Sequence, residues 1–567
     1  MKLKGKSAAP GAALGSIFIY NEKFYTPKES FIPLGQEQSQ LEQYLKVKEL
    51  VIEELEDIKL KFEKIDPEKA LIFDAHKEIA DDIIMNEEIH SRILKDRMSG
   101  DWAIYHVYET VMAVLRSTPD PLIAERVVDF DDVRSRLLRL WYGKKNEGLS
   151  GLKEPVIIAA GNLKPSDTVL MDTEKVLAIL SETGGETSHA AIIAKSYGIP
   201  AVLGIKGLLD IVKQGQKAAI DAGEGTVILD PDEDTVIEYQ NKIEEIKKEK
   251  EDARIYLDKE GRTSDGVKID IGLNISGVLE DELNVQNYCD SAGLFRTEFL
   301  FMARSAAPSE EEQFETYRKA LICFGGKPVI LRTLDIGADK QIPYLNLTRE
   351  ENPFLGNRGL RFCLNAPELF KIQLRAALRA SVFGNLWLML PMVASISDIH
   401  RAKAIIAEVK ESLKKDNIKY NDVKTGIMIE VPAIALIADK AAKEVDFASI
   451  GSNDLCQYMC AADRMNATVE SYYQSYHPAM FRIIQKTASA FSIEKKPLSI
   501  CGELGSDLPA LPALIGLGIR KLSMGFSYVA SVKRLLASIT IEEAQETAEK
   551  VLQLSTACEI ENFLKNR

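Results

Sequence analysis

The chain has 567 residues, of which 46% are hydrophobic and 28% are charged, and its formal net charge is −14. A chain of this length exceeds what one hydrophobic core can hold and predicts about three or four domains. The negative charge argues against nucleic acid or an anionic membrane as the main partner, and no apolar run is long enough to predict membrane insertion. Seven cysteines without a CxxC pair are typical of a reducing compartment, so we expect a cytoplasmic protein.

The first part of the chain changes from a strand pattern to a helical one. Residues 1–20 are apolar and rich in Gly and Ala, which is typical of an edge strand. Between about residues 37 and 143, apolar side chains recur at helical spacing. Turn signals at Asp66-Pro67, Ser99-Gly100-Asp101 and Thr118-Pro119-Asp120-Pro121 divide this region into about four helices, arranged as a bundle or as paired hairpins.

Residues 152–230 alternate short strands with helical stretches, which predicts a compact α/β unit. The strands are expected at Val156–Ala159, Val176–Leu180 and Thr226–Leu229. A charged segment follows over residues 233–260 with apolar residues at heptad-like spacing. It predicts a long linker helix with one solvated face.

His189 is the most informative residue of this α/β segment. It follows the run Gly184-Gly185-Glu186-Thr187-Ser188, and the apolar stretch after it predicts a helix start. Free backbone N–H groups and the positive dipole end of a helix favour an anion, so His189 is a candidate carrier of a covalent phosphoryl group. A metal site is not indicated, because no second His, Cys or carboxylate follows at helical spacing. The alternative is a histidine that only caps or packs against a helix end.

From residue 262 onward, short β-rich runs recur between helical patterns. This alternation predicts a (β/α)8 barrel, whose chemistry should lie at the carboxyl ends of the strands. The eight strand candidates are Val267–Ile275, Ala292–Glu298, Val329–Ile336, Leu386–Val393, Gly426–Val431, Phe447–Ser452, Leu498–Cys501 and Lys521–Met524.

Five of these candidates carry charged, polar or thiol groups at or near their carboxyl ends. A single charged residue at a strand end often indicates only an exposed end of the strand. Five strand ends with such groups favour a functional site. They bring together the following residues: Arg296, Arg332, Glu430, Asn453, Asp454 and Cys501.

The residue types at these ends fit one chemistry. Arginine forks bind phosphate and carboxylate oxygens, and Arg464 offers a further cation. Glu430 and Asp454 offer oxygen ligands for Mg²⁺. Cys501 could transfer a proton. The ligand that these groups favour is a small, doubly anionic phosphorylated acid.

The motif around His189, with Gly198-Ile199-Pro200-Ala201-Val202 after it, resembles the phosphohistidine signature of the phosphoenolpyruvate-utilising enzymes. Within these, the chain resembles the Enzyme I family of the bacterial sugar phosphotransferase system over essentially its whole length. The supporting runs are residues 294–302, 332–340, 351–356 and 449–455.

The resemblance implies a role for each candidate residue. His189 is implied as the phosphorylated residue, through Nε2, and Cys501 as the proton donor to the enolate. Glu430 and Asp454 are implied as Mg²⁺ ligands. The implied phosphoenolpyruvate contacts are Arg296, Arg332, Asn453, Asp454 and Arg464, with Arg358 and Lys340 at further active-site positions.

The resemblance also implies a multidomain α/β architecture and two protein partners. A phosphohistidine α/β domain, residues 1–20 and 146–230, would contain an inserted helical domain, residues 21–145, that binds the carrier protein HPr. A linker helix, residues 231–261, would lead to a TIM barrel, residues 262–567, which binds phosphoenolpyruvate and forms a homodimer.

Four positions depart from the common pattern of the family: Asn357, Val431, Ser452 and Asp131. None belongs to the charged set. Two other functions stay open. A nucleotide-dependent relative would need a nucleotide-binding domain, but only about 150 helical residues precede the histidine motif and they contain no glycine-rich phosphate loop. A non-enzymatic regulator would not need the intact strand-end residues. We expect surface or core roles for the other histidines: His76, His90, His106, His400 and His477.

Overall fold

The computed structural model describes residues 1–20, 26–62, 71–117, 127–144, 149, 152–163, 171–184, 190–191, 194, 197–278, 283–302, 306–337, 342–345, 347–348, 350–464, 466 and 468–567. The chain divides into two units, Met1–Ile246 and Lys247–Arg567. No helix in these ranges is long and apolar enough to cross a membrane.

The first unit contains a mixed sheet. Its strands are β1 (Lys2–Lys4), β2 (Lys6–Ala9), β3 (Ala12–Tyr20), β4 (Val156–Ala160), β5 (Val176–Ser181), β6 (Ala201–Leu203), β7 (Lys217–Asp221) and β8 (Thr226–Leu229). Across the described sheet the order is β1-β8-β7-β3-β4-β5-β6-β2. The three predicted strands β4, β5 and β8 are present, whereas β6 and β7 were not predicted.

The interpretation of residues 1–20 as one edge strand was incomplete. These residues form three strands, of which β1 and β2 lie at the two edges and β3 lies in the middle. The strand β3 pairs parallel with β4 and antiparallel with β7. Gly11, with φ at +151°, allows the chain to leave β2 and enter β3 in a conformation that other residues rarely adopt.

Helices occupy the sequence between β3 and β4. They are α1 (Glu37–Phe62), α2 (Leu71–Ala80), α3 (Ile83–Leu94), α4 (Gly100–Ser117) and α5 (Val127–Trp141), and the short α6 (Leu208–Ile211) and the long α7 (Glu233–Arg254) come later. Two of the predicted breaks, at Asp66-Pro67 and at residues 118–121, lie outside the described residues. The break before α3 was missed. Asp82 caps that helix by accepting a hydrogen bond from the N–H of Met85 at 2.8 Å.

The second unit contains the barrel. Its strands are β9 (Asp270–Ile275), β10 (Ser291–Arg296), β11 (Pro328–Arg332), β12 (Asn385–Leu390), β13 (Lys424–Ile429), β14 (Ala448–Gly451), β15 (Leu498–Cys501) and β16 (Lys521–Met524). All neighbours are parallel, and β16 pairs with β9 to close the ring. The prediction of a (β/α)8 barrel is therefore confirmed.

Helices lie between these strands along the chain and after the last of them. They are α8 (Phe299–Met302), α9 (Glu310–Cys323), α10 (Leu360–Asn365), α11 (Pro367–Ala380), α12 (Ile396–Lys415), α13 (Pro432–Leu436), α14 (Ala438–Glu444), α15 (Ser452–Cys460), α16 (Pro478–Ile493), α17 (Leu511–Gly516), α18 (Phe526–Leu536), α19 (Ile541–Gln553) and α20 (Ala557–Lys565).

An apolar cluster from the strands, here called the interior plug, fills the inside of the barrel. Its members are Leu294, Ile330, Trp387, Met389, Met428, Phe447 and Cys501. The rings of Trp387 and Phe447 lie 4.9 Å apart between centroids. A Cβ added at Gly426 would lie 2.6 Å from the Phe447 ring, so the packing there leaves no room for a larger residue.

Candidate active site

Two arginines end neighbouring strands of the barrel. Arg296 ends β10 and Arg332 ends β11, and the strand register sets them side by side. Arg332 is buried, with its guanidinium bonded to Glu298 and 3.0 Å from Asp335. Burial acts to lower the pKa of Arg332, but Glu298 and Asp335 outweigh it and the net shift is upward. The guanidinium therefore stays charged inside the barrel mouth.

Asp335 joins Arg332 to a second buried arginine, Arg358. The Nη2 atom of Arg358 lies 3.2 Å from both carboxylate oxygens of Asp335. Its Nη1 atom lies 3.5 Å from Asp454 and 3.3 Å from the hydroxyl of Tyr458. The guanidinium is thus held between two carboxylates, which fixes its orientation.

Asp454 lies in the first turn of α15, directly after β14. The positive end of the helix dipole favours a carboxylate at this position. Besides Arg358, it contacts Arg464 at 3.7 Å between Oδ1 and Nη2. The backbone N–H of Arg464 donates to the side chain of Gln457, a residue of α15, at 3.2 Å, so α15 also positions this arginine.

Glu430 follows β13 and is completely buried. Its Oε1 atom accepts a hydrogen bond from the N–H of Met392 at 2.6 Å. Its Oε2 atom has no hydrogen-bond partner among the described residues. Burial, followed by the carboxylates of Asp454 and Asp335, raises the pKa of Glu430 to about 8. A buried carboxylate with an open oxygen beside other carboxylates favours a bound cation.

The carboxylates of Glu430 and Asp454 fit Mg²⁺, which protein side chains need not coordinate completely. Within the described residues no group of three or more His, Cys, Asp or Glu side chains could hold a metal. Glu430 and Asp454 follow adjacent strands, and Mg²⁺ usually takes one or two carboxylates together with water and substrate phosphate. Gly451 leaves space for this pair, since a Cβ there would lie 2.9 Å from Oε2 of Glu430.

Cys501 ends β15 and is buried at the top of the interior plug. Its sulfur donates to the carbonyl of Ile450 at 3.4 Å. Burial raises the pKa of this thiol, although Ser449 and Arg332 act in the opposite direction. The group is therefore a protonated thiol at neutral pH and can donate a proton.

Asn453 is fixed by the loop that follows Cys501. Its Oδ1 atom accepts a hydrogen bond from the N–H of Glu503 at 3.0 Å. The neighbouring Ser452 hydroxyl donates to the carbonyl of Cys501 at 2.9 Å. The ends of β14 and β15 are thus joined directly, and Ser452 performs this link with its hydroxyl.

The structure brings most of the sequence-predicted residues to one end of the barrel. Direct contacts link Arg332, Arg358, Asp454 and Arg464 through carboxylates. The other predicted residues of the barrel mouth follow or end strands of the same ring: Arg296, Glu430, Asn453 and Cys501. His189 and Lys340 lie outside the described residues.

Sequence reasoning missed three residues of this network, Glu298, Asp335 and Tyr458. Glu298 and Asp335 each follow an arginine at a strand end by two or three residues, and this spacing was the available signal. Tyr458 lies one helical turn after Asp454, on the same face of α15. Asn357 lies at the edge of the site, with its N–H donating to Glu350 at 2.9 Å.

Family models match nearly the whole chain. The model described as the N-terminal part of PEP-utilising enzymes matches residues 4–126, the mobile domain matches residues 152–225, and the PEP-binding domain matches residues 250–541. The chain belongs to the PEP-utilising enzyme family. The resemblance stated from the sequence motifs is confirmed.

Two curated relatives of this PEP-utilising enzyme carry the name phosphoenolpyruvate-protein phosphotransferase. The one from Staphylococcus carnosus is 38% identical and covers 100% of this chain and 99% of its own length. The one from Mycoplasma capricolum is also 38% identical, with the same coverage of 100% and 99%. A solution structure of an Enzyme I protein aligns with 38% identity and a TM-score of 0.39, covering 43% of this chain and 99% of its own.

Proposed function

We propose that this chain transfers the phosphoryl group of phosphoenolpyruvate to His189 and then to a histidine of the carrier protein HPr, with release of pyruvate. This reaction is the first step of sugar uptake by the phosphotransferase system. The observation that carries the proposal is the network of Arg332, Arg358 and Asp454 beside the open, buried carboxylate of Glu430, in a chain of the PEP-utilising family.

The arginines would bind the charged ends of the substrate. Arg296 and Arg332 lie side by side, and Arg464 reaches Asp454 from the loop after α15. Their planar forks suit phosphate and carboxylate oxygens, and Asn453 can donate a further hydrogen bond. Arg358 and Lys340 complete the proposed set. The acidic neighbours hold Arg332 and Arg358 in place before the substrate enters.

Glu430 and Asp454 would hold Mg²⁺ at the phosphate end of the substrate. When bound, this ion neutralises charge on the transferring phosphoryl group. The Oε2 atom of Glu430 has no hydrogen-bond partner among the described residues, so a bound cation would compensate the burial of this carboxylate.

The bond changes involve two protein groups. Nε2 of His189 attacks phosphorus in line as the bond from phosphorus to the enol oxygen breaks, and the electron pair stays on the pyruvate enolate. Carbon 3 of the enolate then takes the proton from the Cys501 thiol, which gives pyruvate and a thiolate. Water returns the proton to Cys501, and HPr takes the phosphoryl group from His189.

The partners follow from the same proposal. HPr would dock on the helical domain of residues 21–145, which is inserted in the phosphohistidine domain of residues 1–20 and 146–230. The linker helix of residues 231–261 would join this part to the barrel of residues 262–567, through which two copies would pair. We propose a cytoplasmic location.

Labelling with ³²P-phosphoenolpyruvate and Mg²⁺ in the absence of nucleotide tests the reaction. We expect acid-labile, base-stable label on the wild type and on His400→Ala, a matched control because His400 is exposed and pairs with Glu444. His189→Ala should take no label, and added HPr should remove label from the wild type. Label that requires ATP would favour a nucleotide-dependent relative, and no label at all would favour a non-enzymatic regulator.

A further inference from the structure

A cavity of about 450 Å³ lies beside the barrel mouth, at α10 and the first turns of α12. Its volume is within the range of small-molecule sites, which is about 300–1,000 Å³. Four charged side chains line it: Glu350, Arg361, Asp398 and Arg401. None of them belongs to the set proposed to bind phosphoenolpyruvate or Mg²⁺, so the cavity is a separate feature of the barrel.

The two arginines of this cavity have unused hydrogen-bond donors. Arg361, on α10, donates through Nη1 to the carbonyls of Leu355 at 2.9 Å and Gly356 at 3.1 Å. These bonds orient the guanidinium, whose other nitrogens have no partner among the described residues. Arg401, on α12, is exposed and has no ion-pair or hydrogen-bond partner in the described part of the chain. The cavity therefore offers guanidinium donors to an anionic group.

The two carboxylates of the cavity are held by backbone N–H groups. The two oxygens of Glu350 accept from the N–H of Asn357 at 2.9 Å and 3.1 Å. The Oδ2 atom of Asp398 accepts from two N–H groups at the start of α12, at 2.9 Å and 3.1 Å. Neither carboxylate forms an ion pair with an arginine among the described residues. Their negative charge is therefore available to a cationic group.

The charges of the cavity balance, but they do not pair with one another. A ligand with a single charge would match only the arginines or only the carboxylates. A ligand with both a carboxylate and an ammonium group would match both. Leu360, Leu364 and Met392 add an apolar wall for a side chain. Free α-amino acids have this combination of groups.

Two residues of the lining connect the cavity to the candidate active site. Met392 donates its N–H to Oε1 of Glu430 at 2.6 Å, and its φ of +55° is uncommon for a residue other than glycine. Asn357 directly precedes Arg358, whose guanidinium lies 3.2 Å from Asp335. A ligand in contact with Met392 and Asn357 would therefore restrain the backbone that positions Glu430 and Arg358.

We propose that this cavity binds a free α-amino acid as a zwitterion and that the bound amino acid restrains the barrel site. The carboxylate would bind the two arginines, the ammonium group would bind the two carboxylates, and the side chain would contact the apolar wall. The effect on phosphoenolpyruvate rests on the proposed function, whereas binding of the amino acid does not.

Calorimetric titration of the full-length protein with L-leucine tests the binding. The side chain of L-leucine suits the apolar wall, and two compounds of similar shape each lack one charge: 4-methylpentanoate has no ammonium group, and 3-methylbutylamine has no carboxylate. We expect one saturable site for L-leucine and at least tenfold weaker binding of both compounds. Equal binding of 4-methylpentanoate would indicate a site for anions and overturn the proposal. Absence of saturation up to about 10 mM L-leucine would also overturn it.

Matched variants locate the bound amino acid. Arg401→Ala removes an exposed guanidinium, and Glu350→Gln removes a charge but keeps a side-chain oxygen that can accept from Asn357. Each should weaken L-leucine binding at least tenfold. Arg482→Ala on α16 is the control, because Arg482 is also exposed but does not line the cavity. Unchanged binding in both cavity variants would place L-leucine elsewhere, such as at the arginines of the barrel mouth, and would overturn the proposal.

Hydrogen exchange tests the restraint without the proposed reaction. With L-leucine present, peptides that cover residues 350–365 and 392–401 should exchange more slowly in the wild type than in Arg401→Ala. Unchanged exchange at saturating L-leucine would overturn the restraint.

Steady-state kinetics tests the effect on the barrel site. Saturating L-leucine should lower the KM for phosphoenolpyruvate at least twofold in the wild type and not in Arg401→Ala, because Arg358 and Glu430 would be restrained. An unchanged KM together with slower exchange would overturn the coupling to the site. Absence of the reaction in every sample, with binding of L-leucine retained, would count against the proposed function and not against the amino-acid site.

Discussion

Asp335 and its two arginines show how single residues prepare this site. The carboxylate contacts Arg332 at 3.0 Å and Arg358 at 3.2 Å, so both cations are oriented before any substrate enters. Preorganised charges avoid the cost of reorientation during a reaction. The arginines are therefore ready to receive the phosphoryl and carboxylate groups of the proposed substrate.

Cys501→Ala tests the proposed role of Cys501 as proton donor. The substitution removes the thiol while keeping an apolar group at the top of the interior plug. We expect kcat for pyruvate formation to fall about 10²-fold or more, which is the usual contribution of a general acid. The KM for phosphoenolpyruvate should change little, because the arginines are untouched. Steady-state assay of pyruvate checks this, and unchanged kcat would remove Cys501 from the mechanism.

Gly502→Ala tests the link between the ends of β14 and β15. Gly502 has φ at +90°, and a Cβ there would lie 2.4 Å from the Ser452 hydroxyl and 2.8 Å from Oδ1 of Asn453. We expect a loss of about 2 kcal/mol or more in the free energy of unfolding, together with a raised KM. Gly525→Ala is the control, since its φ is −69° and its Cβ would meet nothing within 4 Å. Equal stability of the two variants by thermal unfolding would contradict the argument.

Much of the site could be predicted from the sequence for one physical reason. Parallel strands of a barrel bring their carboxyl ends together, so Arg296, Glu430 and Cys501 converge although they are far apart in the chain. Glu298 and Asp335 could not be predicted in the same way. A carboxylate shortly after a strand looks solvated in a sequence, and only the closed ring turns it inward to meet an arginine.

At the scale of elements, three helices of the first unit are joined by a buried network of charges. His76 of α2 lies 3.2 Å from Asp129 and 3.3 Å from Asp132 of α5. Arg136 of α5 then contacts Asp132 at 3.0 Å and Glu54 of α1 at 2.5 Å. His76 thus has a core role, as expected from its helical pattern, but an ionic one.

This network predicts a pH dependence of helix stability. Burial acts to lower the pKa of His76, but Asp129 and Asp132 outweigh it and raise the pKa above its usual value of 6.5. The stabilisation is therefore complete below pH 6.5 and is lost as the pH rises through the raised pKa of the folded state. Hydrogen exchange of α2 and α5, corrected for its intrinsic pH dependence, should show this loss. His76→Gln should abolish the dependence and His400→Gln should keep it; an identical dependence in both would contradict the assignment.

Strands and helices were predicted correctly where the residue pattern changes clearly along the chain. The eight barrel strands are apolar runs, most of them separated by helical segments, and each was found at its position. The helix start and the strand that were missed have only weak signals in the sequence. The helix α3 begins after Asp81-Asp82, where a cap replaces the usual Gly or Pro, and β6 has only three residues. Pairing with β2 and β5, which is not a local property, makes β6 a strand.

At the scale of the whole molecule, α7 contributes residues to both units. The division falls after Ile246, inside a helix that runs from Glu233 to Arg254. His189 belongs to the first unit and the barrel site to the second. We therefore expect the proposed phosphoryl transfer from the barrel site to His189 to depend on this helix, which connects the two units.

Glu245→Pro tests that dependence. Proline in a helix interior costs about 3 kcal/mol and bends or breaks the helix. We expect pyruvate formation from phosphoenolpyruvate to fall several-fold, whereas transfer from phosphorylated HPr back to His189 should be unchanged because His189 and the proposed HPr-docking helices both belong to the first unit. Glu245→Ala, which removes the same exposed charge but keeps the helix, should behave as the wild type. Equal loss of both transfers would contradict a role confined to the connection.

The interior plug has a consequence for the supply of protons. Trp387 and Phe447 belong to the same buried cluster as Cys501, which is only 2% exposed. In the proposed reaction, we expect the proton that restores this thiol to enter through the barrel mouth, by which pyruvate would also leave. In heavy water, we expect the methyl group of pyruvate to acquire deuterium only after the Cys501 thiol has exchanged its proton with solvent.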